Sequence, residues 1–184
     1  MRVFAAAAME LPRGLPEDLA RTVRAELGPA ARPVGPGAMH LTLAFLGEIP
    51  AERVEAAGGC LEALSGFGSF TAVPDEAGFF PSPDKPGVFW LGFGAGGARL
   101  SEAAAKLSAA LRAGGFVLEE RSFIPHLTLA RLKGSVPPAA AGRAAAAARD
   151  LCRGRSFPVT GAVLFSSELS PGGPRYSELK KIDF

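Results

Sequence analysis

Two histidines occur in this chain, and each opens the same pentapeptide: His40-Leu41-Thr42-Leu43-Ala44 and His126-Leu127-Thr128-Leu129-Ala130. An imidazole titrates near neutrality, so a pair of them can hold one proton between them and serve as base and acid in one reaction. Threonine hydroxyls beside them can donate hydrogen bonds to an oxygen on which negative charge builds. In an extended segment, alternate side chains share a face. His40 and Thr42 then lie on one face, as do His126 and Thr128. Leu41, Leu43, Leu127 and Leu129 turn to the other face, toward a core. A repeat sets architecture before anything else does. Two such strands related by a pseudo-twofold axis would gather two imidazoles and two hydroxyls around one cavity.

Other chemistries fit less well. A zinc site needs three or four ligands, and neither motif carries an acid or a thiol beside its histidine; no metal and no cofactor is expected. A serine nucleophile on a G-x-S-x-G turn is absent, and so is a P-loop. Paired acid–base catalysis on a phosphodiester remains. One ring takes a proton from the attacking water or hydroxyl, the other protonates the leaving oxygen, and the threonines hold the non-bridging oxygens.

The elements that must position these residues follow from spacing. The chain of 184 residues carries a formal charge of +2, which permits a polyanionic ligand without demanding one. Its size suits one domain or two small lobes. Residues 2–9 read as a buried strand, too short and too soon closed by Glu10 for a signal peptide. No run is long enough to span a membrane. Pro16, Glu17 and Asp18 start a helix whose Leu15, Leu19, Val23 and Leu27 recur every four residues before Gly28 stops it. A Pro/Gly loop over 32–37 leads to the first motif strand, near 38–46. A helix over 51–64, weakened by Gly58 and Gly59, an extended segment from 70 to 73, a loop over 82–87 and an apolar strand over 88–93 follow. Gly94 to Gly97 reads as a hinge between halves. A helix over 98–113, a short strand near 116–118, the second motif strand over 126–132, an alanine-rich helix over 139–148 and strands over 157–169 and 175–184 complete the chain. Helix–strand alternation is imperfect and the strand pairs are short-linked, which favours antiparallel α+β lobes over a parallel sheet. Cys60 and Cys152 have no metal or redox spacing and fit reduced thiols in a cytoplasmic protein.

The paired H-x-T motifs, in HLTLAFLGE and FIPHLTLARLKG, resemble those of the two-histidine (2H) phosphoesterases, and within them the RNA 2′,3′-cyclic phosphodiesterases, also called 2′-5′ RNA ligases. Val88-Phe89-Trp90-Leu91-Gly92 and Arg175-Tyr176 with Leu179 resemble further segments of that family. The resemblance implies one bilobal α+β domain over 1–184. Its two pseudo-twofold-related lobes each have an antiparallel sheet and outer helices, with the active site in the groove between them. It implies hydrolysis of RNA 2′,3′-cyclic phosphate ends to 2′-phosphates, with weak reversible 2′-5′ ligation. The alternatives are a small nucleotide or ADP-ribose cyclic phosphate as substrate, or binding of RNA ends without turnover. By motif, His126 activates water, His40 protonates the 3′ oxygen, and Thr42, Thr128 and Arg131 meet the phosphate. Phe45, at the position matching Arg131, can stack on a base. Strict alternation turns Phe45 and Arg131 away from the histidines, so they reach the site only if each strand ends or bulges after Ala44 and Ala130. Otherwise Phe45 is core and Arg131 a surface charge. Arg121 stands where the family also carries arginine, as a phosphate contact or a structural salt bridge. The loop before the first motif lacks the aromatic that relatives often carry, which leaves fewer platforms for stacking. A monomer acting on RNA ends or small cyclic nucleotides, without a membrane, is expected.

Overall fold

Alternation and helical spacing resolve into nine strands and four α-helices in a computed structural model that describes residues 1–82, 85–120, 122–170 and 173–184. They are β1 (Arg2–Met9), α1 (Leu15–Leu27), β2 (Ala31–Pro33), β3 (Thr42–Glu48), α2 (Val54–Gly59), β4 (Phe70–Ala72), β5 (Pro74–Ser82), β6 (Lys85–Phe93), α3 (Gly97–Ala113), β7 (His126–Leu132), α4 (Pro138–Cys152), β8 (Phe157–Ser170) and β9 (Gly173–Asp183). Two antiparallel sheets result. One runs β3-β1-β8-β4, with β9 also paired to β8; the other runs β2-β7-β6-β5. This is the α+β, bilobal architecture expected from the sequence.

Each sheet buries one face under helices. Val3, Ala5, Leu41 and Leu43 of the first sheet pack with Leu61 and Leu64 and with Leu100, Leu107 and Leu111 of α3. In the second, Phe89, Leu91, Leu127 and Leu129 pack with Leu15, Leu19 and Val23 of α1 and with Ala141, Ala144 and Ala148 of α4. The four-residue leucine spacing of α1 is its buried stripe, and the alanine run forms a helix whose small face lets α1 approach. The motif leucines are buried completely or nearly so, as alternation requires. Truncating Leu127 to Ala should cost about 2–5 kcal/mol of unfolding free energy; urea denaturation of the variant measures it.

The lobes are not the two halves of the sequence. β1 and β3 join β8 and β9 in one sheet, while β5 and β6 join β7 in the other. Antiparallel pairing across a long chain separation closes each sheet, which is a tertiary choice invisible to local periodicity. Gly94 to Gly96 turn the chain from β6 into α3, so this glycine segment is one of several crossings between lobes.

Four local expectations change. The helix over 51–64 is α-helical only over Val54–Gly59, with 3-10 turns at Ala51–Arg53 and Cys60–Leu64. A β-carbon on its Gly58 would come within 3.2 Å of the Lys180 side chain, which would have to give way by a few tenths of an ångström. Residues 116–118 form no strand; Phe116 is instead buried, with the Arg53 guanidinium 4.5 Å from its ring centroid. β5 and β6 form a hairpin that extends into the loop expected over 82–87, of which residues 83 and 84 lie outside the described residues. The first motif strand begins at Thr42, not near residue 38, because Pro36–Ala38 make a 3-10 turn. Cys152 is buried, which pushes its thiol up to about 11, and Cys60 is half-buried; neither is in a disulfide.

Candidate active site

His40 stands just before β3 and His126 opens β7, yet both rings are held the same way. His40 Nδ1 lies 2.8 Å from the carbonyl oxygen of Ala38, and His126 Nδ1 lies 2.8 Å from that of Ile124. A carbonyl can only accept, so Nδ1 carries the hydrogen in each ring and donates it two residues back along the chain. Nε2 is thereby left as the atom that takes or gives a proton, once in each motif. The sequence repeat is thus also a repeat of tautomer.

Aromatic rings fix both imidazoles from the side. Phe4 lies against His40 with centroids 4.6 Å apart, and Tyr176 meets it edge-on at 5.0 Å. Phe80 meets His126 edge-on at 5.1 Å and stacks on Trp90 at 4.8 Å. The indole lies against two glycines: a β-carbon on Gly78 or on Gly92 would come within 2.7 Å of it. Gly92 is also the cross-strand partner of His126, so the flat tryptophan and the histidine share one local frame. Trp90 Nε1 is buried without a hydrogen-bond partner among the described residues. Phe4 is the only large side chain in β1 apart from its ends, which is the one sequence signal that could have marked it.

Both motif strands bulge at the same place. On β7, Thr128 faces Trp90 and Ala130 faces Phe89, so Leu129 has no partner of its own. On β3, Thr42 faces Ala6 and Ala44 faces Ala5, leaving Leu43 extra. One additional residue reverses the alternation beyond it. Leu129 and Ala130 are both buried, as are Leu43 and Ala44, and Arg131 and Phe45 come out on the threonine side. The sequence allowed a bulge after Ala44 and Ala130; the bulges fall one residue earlier, at Leu43 and Leu129. Electrostatics agree for Arg131: its charge acts on both His40 and Tyr176. Phe45 is 39% exposed, with the Arg2 guanidinium 5.0 Å from its ring centroid. It is not core.

Burial lowers the pKa of His40 below the ordinary imidazole value, more than the Ala38 carbonyl raises it; the charges of His126 and Arg131 push it further down. Coupling of this kind places the two histidines and Arg131 within one electrostatic site. Tyr176 is raised by burial against the opposing pull of Arg131 and Arg2. Thr42 and Thr128 are half-buried, and among the described residues neither hydroxyl has a protein partner. Arg121 lies outside the described residues. Among the described residues, no three of His, Cys, Asp and Glu stand close enough to hold a metal ion, and no helix is long and apolar enough to cross a membrane. A surface depression of about 500 Å³ between the start of β5 and the end of α4 has Asp75, Arg149, Asp150 and Arg153 in its lining and none of the motif residues.

Comparison with known proteins points the same way as the geometry. The family described as LigT like Phosphoesterase matches twice, over residues 10–90 and 94–176, one motif in each match. A protein of Escherichia coli K12 named RNA 2′,3′-cyclic phosphodiesterase is 31% identical over 181 residues, which is 95% of this chain and 92% of that protein. One of the same name from Aeropyrum pernix is 40% identical over 96 residues, 52% of this chain and only 54% of that protein. The structure of E. coli LigT complexed with 3′-AMP aligns with a TM-score of 0.76 at 30% identity, over 99% of this chain and 97% of that one. With the doubled match spanning both motifs and the fold shared along the whole length, the chain belongs to the LigT-like phosphoesterase family.

Proposed function

We propose that this chain hydrolyses RNA 2′,3′-cyclic phosphate ends to 2′-phosphates by paired-histidine acid–base catalysis that needs no metal. One observation carries the reading. Two imidazoles are each held in the Nδ1–H tautomer by the carbonyl two residues before it, which leaves Nε2 as the free ring nitrogen in both motifs, and the charge of His126 acts on His40. His126 Nε2 takes a proton from water as the oxygen attacks phosphorus. The bond from phosphorus to the 3′ oxygen breaks, and His40 Nε2 delivers its proton there, leaving a 3′-hydroxyl and a 2′-phosphate. Thr42, Thr128 and Arg131 hold the non-bridging oxygens, and Phe45 stacks on a base. A 5′-hydroxyl in place of water makes a 2′-5′ linkage by the same steps. Both motifs come from one chain, so residues 1–184 act as one domain, and a monomer is the oligomeric state in this reading. Cys60 and Cys152 suit a reducing cytoplasm.

The test is an oligonucleotide ending in a 2′,3′-cyclic phosphate, incubated with EDTA, with the product isomer identified. A 2′-phosphate is expected at an undiminished rate. A 3′-phosphate, or loss of turnover to the chelator, would overturn the proposal.

The pH profile follows from the coupled pair. The active form holds one proton over two rings, so activity appears as the doubly protonated pair loses its first proton and disappears with the second. His40 gives up its proton below the ordinary imidazole value of about 6.5. The singly protonated pair that results is productive only with its proton on His40, the microstate that burial disfavours, so the acid limb of kcat/KM is expected on the acid side of that value with only part of that form active. Bound phosphodiester is an anion and favours protonated rings, so both limbs should stand at higher pH in kcat than in kcat/KM. Rate profiles on both parameters check this.

A further inference from the structure

Four arginines sit beside acids: Arg21 with Asp18, Arg99 with Glu102, Arg143 with Glu26 and Arg153 with Asp150. Others, Arg13, Arg24 and Arg112 among them, have no ion pair among the described residues, and Arg32 and Arg131 are of this second kind; what sets these two apart is their pairing. They are direct cross-strand partners, Arg32 on β2 and Arg131 on β7, and both are exposed. Among the described residues neither has an ion-pair partner. Like charges directly opposite one another across two strands destabilise a sheet. Here no carboxylate relieves the pair, so the place is set for an anion from outside.

Its position narrows which anion. Arg131 lies on the threonine side of β7, and its charge reaches His40. Arg32 stands one strand further from the histidines. Its guanidinium leans toward the other lobe: a β-carbon on Gly173, at the start of β9, would be 3.8 Å from Arg32 Nη2. The segment that carries Arg32 runs on through the 3-10 turn at Pro36–Ala38 into His40, and Val34 donates to the Leu129 carbonyl of β7 at 2.8 Å. Arg32 is thus tied to both motifs and held at the edge of the groove, beyond the place of the reacting phosphate.

We propose that Arg32, beside Arg131, is the seat of a second phosphate: the internucleotide phosphate immediately 5′ to the terminal nucleotide. Resting on the cyclic-phosphodiesterase reading above, this makes the preferred substrate an oligonucleotide rather than a nucleoside cyclic phosphate or another small cyclic ester. A guanidinium suits the task because its planar fork meets two phosphate oxygens at once.

Three substrates test it: a nucleoside 2′,3′-cyclic phosphate, a dinucleotide ending in a 2′,3′-cyclic phosphate, and that dinucleotide with an uncharged methylphosphonate linkage. For the wild-type chain, kcat/KM on the charged dinucleotide should exceed the other two by roughly tenfold. Arg32→Gln should erase that advantage by slowing the charged dinucleotide alone, and Arg32→Lys should restore part of it. Dinucleotide kcat/KM should depend less on salt in the glutamine variant than in the wild-type chain. A loss of equal size on all three substrates, or no loss on the charged dinucleotide, overturns the second-phosphate site. So does a wild-type chain that turns over all three alike. Failure of the wild-type chain on every substrate instead refutes the hydrolase reading itself.

Discussion

His126→Ala and His40→Ala are each expected to lower kcat by roughly 10²–10⁴-fold while the protein remains folded. Neither ring is deep core; each is held at the edge of a strand by one carbonyl and neighbouring aromatics, so removal opens a small space without breaking a sheet. The double variant should be little worse than either single one, because proton removal and proton delivery serve one transition state and do not add. The two roles separate with a substrate in which sulfur replaces the bridging 3′ oxygen. A thiolate leaves without a proton. The His40→Ala variant should recover much of its rate on that substrate, and His126→Ala should not, since water still needs a base. Recovery in His126→Ala alone would exchange the roles, and wild-type rates in both variants would refute histidine catalysis altogether.

Thr42→Val and Thr128→Val should each cost roughly 10²–10³-fold in kcat, with KM moving much less. The substitution keeps shape and removes only the hydroxyl. Neither hydroxyl serves the fold: among the described residues neither has a protein partner, although both are half-buried on the histidine face. Such donors stand ready for oxygens that become more negative during attack, where their effect is greatest. Serine at either position should retain most of the activity. Thermal melting should place both valine variants close to wild type, and a large drop in melting temperature would assign the threonines to structure instead.

Much of this was legible in residue order. The antiparallel α+β class, the helix over Leu15–Leu27, the alanine-rich helix and the long β8 all follow from periods of about 3.6 or 2, which are properties of neighbouring residues. Elsewhere local signals were overruled. Phe116-Val117-Leu118 has the composition of a strand but pairs with none; Phe116 is buried in the core, Leu118 packs against it and Val117 is exposed. The expected helix over 51–64 is α-helical only through Gly58 and Gly59, with 3-10 turns at Ala51–Arg53 before it and Cys60–Leu64 after it.

The doubled pentapeptide by itself determined the candidate chemistry: two imidazoles, two hydroxyls, and leucines on the opposite face, because alternation in an extended chain is local and depends on no partner. Tertiary structure alone decided what lies around them. A bulge exists only between two strands, so the register of β3 on β1 and of β7 on β6 determines that Arg131 and Phe45 turn to the threonine side. The same holds for the lobes, which draw strands from both halves of the chain, and for Phe4, Tyr176 and Phe80, which reach the histidines from distant segments, with Trp90 stacked behind Phe80. Arg32 is an unremarkable charge in a proline-rich loop until β2 pairs with β7 and sets it against Arg131. Each of these depends on which strand lies beside which, and strand pairing is settled by burial across the whole molecule rather than by neighbours in sequence.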